Sequence, residues 1–130
     1  MLRTLRNNKA VTLVELLAVI VILAIIAAIA VPTIGNMIDR QRANAAAASG
    51  NSLLEVFRIY ATENPEIADT DYTAANIPTD VSSQLTTVPV IANITINVDL
   101  GVVTVTLGTG PTIDGYAVLL DGGVFVRDPA

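Results

Sequence analysis

From Val11 to Val31 the chain runs 21 residues with only two polar side chains, Thr12 and Glu15. As a helix rising about 1.5 Å per residue, this run spans about 31 Å, the thickness of one bilayer hydrocarbon core. Arg3, Arg6 and Lys9 precede it and no acid does. The positive-inside rule then places the N-terminus in the cytoplasm and everything after the run outside. One residue resists this account. Glu15 puts a carboxylate near the start of an apolar helix, where a charge is costly.

Composition removes several classes of chemistry. The chain has no cysteine, hence no disulfide or thiolate metal site. It has no histidine, hence no Ser-His or Cys-His nucleophile and no His-ligated metal. Past residue 10, four arginines face twelve acids, a formal charge of −8. So acidic a body is poorly suited to nucleic acid or anionic lipid, and no direct nucleic-acid partner is expected. Glu63, Glu66, Asp69 and Asp71 lie close in sequence but lack the ligand spacing of a calcium loop. They read as a solvated face. No metal, cofactor or enzymatic activity is expected.

Pro32 and Gly35 follow the run. Proline removes one helical hydrogen bond and glycine adds freedom. Residues 36–63 contain no proline and six alanines. Leu53, Val56, Phe57 and Tyr60 recur at i, i+3, i+4 and i+7, one apolar stripe. The helix is therefore expected to continue through Pro32 to the stop signal Asn64-Pro65. Residues 64–90, with three prolines, read as loop. Then the period becomes two. Ile94, Ile96 and Val98 alternate with polar residues, as do Val103, Val105 and Leu107. Two more strands, near 115–120 and 123–127, flank the hairpin signal Asp121-Gly122-Gly123. The expectation is an α+β fold. A long bent N-terminal helix, apolar in its first half and amphipathic in its second, packs on a small C-terminal antiparallel sheet of three or four strands.

The stretch "KAVTLVELLAVIVILAIIAAIAVP" resembles the N-terminus of type IV prepilins and the related pseudopilins. That family has a short basic leader ending in a small residue, then a first mature residue, "TL[VI]E" and about twenty apolar residues. The resemblance divides the chain into a leader, 1–10, a transmembrane and filament-core segment, 11–35, and a globular pilin head, 36–130. It implies leader cleavage between Ala10 and Val11 by a prepilin peptidase, with N-methylation of Val11. Glu15 becomes the fifth mature residue and Pro32 the twenty-second, both in step with the family. The chain departs from it in having Ala10 where glycine is usual and Val11 where phenylalanine is usual.

Alternatives stand beside this reading. Residues 1–35 also fit a plain signal anchor carrying a membrane-bound binding domain that does not polymerise. Ala28-Ile29-Ala30 fits the A-x-A cleavage site of a secretory signal. Thr12 to Glu15 is a capping-box pattern, which would explain the glutamate locally. The resemblance gives Glu15 and Thr12 a part in filament assembly instead, with Pro32 and Gly35 as a kink or soft point. Ala24 and Ala28 would allow close helix approach. The implied function is that of a homopolymer subunit, a pilin or the pseudopilin of a secretion or DNA-uptake system. It would wait in the cytoplasmic membrane, in contact with lipid. Inner-membrane machinery with a cytoplasmic ATPase would lift it into an extracellular filament. Asn93-Ile94-Thr95 has the form of a glycosylation sequon but falls in an expected strand and is discounted.

Overall fold

The computed structural model describes the backbone of residues 5–129 and the side chains of residues 12–129. The element order is α1 (Leu5–Glu63), β1 (Thr70–Tyr72), α2 (Thr79–Ser83), β2 (Ile91–Asp99), β3 (Val102–Ile113), β4 (Tyr116–Asp121) and β5 (Val124–Arg127). The helix α1 is unbroken through Pro32 and Gly35, as its alanine-rich continuation requires, and stops at the residue before Asn64-Pro65. The chain divides into two units at Asp39/Arg40.

The second unit holds the core. Five strands pair in the order β1-β2-β3-β4-β5, all antiparallel. That is one or two strands more than the sequence periodicity implied. β1 and α2 both fall in the stretch read as loop. β1 is three residues long, too short for any period to show. It is held by contacts distant in sequence: Tyr72 stacks with Phe57 and Tyr60 at ring-centroid distances of 5.3 and 6.2 Å. Burial and a hydrogen bond with Tyr60 push the Tyr72 phenol up to about 12.

Three two-residue turns connect the last four strands. Leu100-Gly101, Asp114-Gly115 and Gly122-Gly123 all have positive φ at both positions. This is the type I′ pattern, whose twist matches that of paired strands. Leucine pays a steric cost there; the Leu100 N–H donates to the Ile67 carbonyl at 2.7 Å, which ties the turn to the segment after α1. A large bulge interrupts β2–β3. Ala92 opposes Thr112 and Ile94 opposes Leu107, so Asn93 alone faces Gly108 to Pro111. The Asn93 amide donates to the carbonyls of Thr109 (2.9 Å) and Gly110 (3.4 Å) and fills the gap.

Against the sheet α1 lays Ala46, Ala47, Leu53, Leu54, Phe57 and Ala61, all buried. Val56 and Tyr60, part of the expected stripe, are only half-buried. Opposite them lie Ile94, Ile96, Val98, Ile113, Val118 and Phe125. At Gly50 helix and sheet leave no room for a side chain. A Cβ there would collide with Ile113 Cδ1 and come within 2.9 Å of Phe125 Cδ2. Next to it, Asn51 clamps the edge strand. Its Oδ1 accepts from the Phe125 N–H at 2.6 Å, and its Nδ2 donates to the Phe125 carbonyl at 2.9 Å. Arg58 pairs with Glu55 and also donates to the Gly123 carbonyl at 3.3 Å.

Candidate functional site: the exposed apolar half-helix

The first unit has no such cover. By length and composition α1 can cross a membrane, and none of its most apolar stretch is buried. Leu13 is 66 % exposed, Leu17 54 %, Ile29 69 % and Val31 70 %. Isolated exposed apolar residues are ordinary, but a continuous surface of them marks contact with lipid or protein. The apolar residues surround the helix on every side from Leu16 to Val31, so no single face is set aside for the chain's own sheet.

Glu15 is exposed within this surface, and among the described residues no hydrogen bond or ion pair satisfies it. The described helix begins at Leu5, so Thr12 lies inside it and does not stand at its N-cap. The capping-box explanation of Glu15 therefore fails for the uncleaved chain. Ala10 and Val11, the expected cleavage pair, lie outside the residues whose side chains are described.

At Pro32 the missing N–H deprives the Ala28 carbonyl of its helical donor. One residue further, the Thr33 hydroxyl donates back to the Ile29 carbonyl at 3.0 Å. Such back-bonding competes with the backbone ladder and goes with bent helices. A Cβ at Gly35 would touch nothing within 4 Å. Among the described residues no contact demands glycine there.

A family profile of the prokaryotic N-terminal methylation motif matches residues 5–31. The half-helix carries the prokaryotic methylation motif. It is the hallmark of type IV pilins and pseudopilins. The motif points to a structural protein and implies processing by a prepilin peptidase and assembly into a pilus or pseudopilus. With the apolar helix it fits anchoring in a membrane before assembly. No curated protein and no solved structure matches the chain. The methylation motif thus speaks for residues 5–31, and the head is known by its fold.

Of the other residues singled out in the sequence, Asp69, Asp71 and Asn93 have partners within the head. The Asn97 amide donates to Asp69 Oδ1 (3.1 Å) and Asp71 Oδ1 (2.9 Å), and Asp99 Oδ1 accepts the Asp69 N–H at 3.2 Å. Among the described residues no group of three acids is placed to hold a metal. The sequon residue Asn93 is spent on the bulge. The sequence reading missed Gly50 and Asn51. Their only signal is a glycine and an asparagine, both poor helix formers, in the middle of an otherwise alanine-rich helix.

Proposed function

We propose that this chain is the structural subunit of a type IV pilus-like filament, as a pilin or as the pseudopilin of a secretion or DNA-uptake system. Cleavage between Ala10 and Val11 removes the basic leader and frees an α-amino group. Subunits wait in the cytoplasmic membrane with the apolar half-helix in lipid. An assembly machine driven by a cytoplasmic ATPase moves them into a filament whose core is built from these helices and whose exterior is built from the heads. Lipid and helix bundle are similarly apolar, so the transfer costs little per residue. The Ala28 carbonyl left open by Pro32, with glycine at 35, makes a soft point that lets the helix adjust to its neighbours. The function is structural and not enzymatic.

One observation carries the reading: a carboxylate, without a partner among the described residues, at the start of an exposed helical stretch that is wholly apolar from Leu16 to Val31. On insertion scales a charge costs about 2.5–3.5 kcal/mol at the centre of a membrane helix, less near its end. The α-amine created at Val11 has a reference pKa of about 7.7–8.0 and is mostly cationic at neutral pH. In a filament, the amine of an incoming subunit meets Glu15 of one already placed. In low dielectric the pair is strong, and either group alone is costly. The carboxylate thus sets an axial register that an all-apolar surface cannot. Thr12, one turn from Glu15, belongs to the same assembly surface.

The test is Glu15→Val in the native host. It should insert and be cleaved like wild type yet yield few or no filaments by electron microscopy. Wild-type filament numbers would remove Glu15 from the assembly mechanism.

A further inference from the structure

β1 and β5 are the outer strands of the sheet, and the chain guards both. At β5 the Asn51 amide occupies both outward groups of Phe125. β1 is only three residues long and carries Asp71. Short edges, edge charges and covered edges all prevent unwanted strand pairing. A further free margin lies within β3, where β4 leaves it. β4 pairs with β3 only at Thr112↔Ala117 and Ile113↔Tyr116. The next rung needs an N–H at residue 111, which is proline, and Gly110 before it has φ +62°. Residues 102–109 therefore pair with β2 alone.

The free groups can be named. The Leu100-Gly101 turn bonds the Asp99 carbonyl to the Val102 N–H. Antiparallel alternation then sends the N–H and C=O of Thr104 and Thr106 toward β2, and those of Val103, Val105 and Leu107 outward. The same alternation counted from Gly122-Gly123 puts the Phe125 groups outward, where Asn51 meets them. Outside the β2–β3 ladder, no hydrogen bond of the described residues reaches the outward groups of Val103, Val105 or Leu107. The side chains of these three stay half-buried, although their cross-strand partners Val98, Ile96 and Ile94 are fully buried.

We propose that this edge pairs with the β3 edge of a second copy of the chain, antiparallel and centred on Val105. The strand is complementary to itself in that register. Val105 faces its own symmetry mate, and Val103 faces the partner's Leu107, so every outward N–H meets an outward C=O. The half-buried valines and leucine join into one apolar strip, and the threonines oppose threonines on the other face. Charge also selects the occupant. From residue 36 onward eleven acids face four arginines, so two heads repel, but Val102 to Ile113 contains no ionisable residue. A charged partner would find no counter-charge there, whereas another copy meets no like charge. The contact is isologous and closes on itself as a pair. It does not depend on cleavage or on filament assembly.

The chain has no cysteine, which makes cross-linking clean. Full-length Thr104→Cys and Thr106→Cys chains, with different tags, are mixed in detergent micelles and oxidised. In the proposed register residue 104 sits opposite residue 106 of the second copy as a non-hydrogen-bonded pair, about 4.5 Å between Cα atoms and within disulfide reach. Two copies of the same variant place their cysteines diagonally, about 7–8 Å apart and out of reach. Mixed-tag dimers should exceed same-tag dimers by about tenfold. Leu119→Cys, exposed on β4, should cross-link no better than the same-tag mixtures, and the thermal transition of each variant checks its fold. Absence of cross-linked dimer, or equal yield in every combination, overturns the proposal.

Discussion

Residues 12–39 and 40–63 belong to one continuous helix, yet their apolar surfaces meet opposite fates. In the second stretch the apolar residues share one face with alanines and a glycine, and the sheet of the same chain buries that face. In the first stretch apolar side chains cover every face from Leu16 to Val31, and none of the described ones is buried. Helical propensity cannot account for the contrast, because both halves are helical. What differs is periodicity. A stripe specifies a partner on one side, which a small sheet can be. A surface apolar all round specifies a solvent of low polarity or a bundle of like helices. One element thus carries two folding instructions, one answered within the chain and one addressed outside it.

The contrast can be broken most forcefully by cutting the helix between the two regions. A fragment beginning at Arg40 should lose all membrane association yet keep a cooperative thermal transition, because the buried residues lie between Ala46 and Phe125. Failure to fold would mean that the exposed half supports the head. A smaller effect comes from Gly50→Ala. The added methyl meets Ile113 and the Phe125 ring, with no free space between helix and sheet. Overpacking of this kind costs about 1–3 kcal/mol, which denaturation of the full-length chain in detergent micelles would register. The same change at Gly35, where a Cβ meets nothing, should leave head stability unaltered. Smaller again is Asn51→Ala. It strips both partners from the Phe125 backbone at a part-buried site, for a loss of about 1–2 kcal/mol and faster hydrogen exchange in β5. Equal effects at residues 35 and 50 would erase the distinction between the two halves.

The two regions were also unequally legible. The apolar run, its basic flank and the spacing of Glu15 and Pro32 are local patterns, and they announce the exposed half-helix directly. The strands of β2 and β3 showed their period of two, and Gly122-Gly123 showed its turn. β1 did not, because three residues carry no period and their place depends on Tyr72 finding Phe57 and Tyr60. The pairing of Asn51 with Phe125 joins residues 74 apart in sequence. Nothing near Asn51 says that an edge strand will arrive beside it. All four residues of the stripe meet the core, but its centre lies part of a turn away, with Val56 and Tyr60 at its margin. Val56 and Tyr60 look as apolar as Leu54 and Ala61, and only the position of the sheet decides which are covered fully and which in part.

The central claim is that the uncovered half-helix remains in the mature protein and begins at Val11. Mass spectrometry of the protein from its native host tests it directly. The account predicts an N-terminus at Val11, lacking the leader Met1 to Ala10 and carrying the methyl group that the motif implies. An N-terminus at Val31 would show that the apolar run is a discarded secretory signal, and would contradict both the filament core and the role given to Glu15.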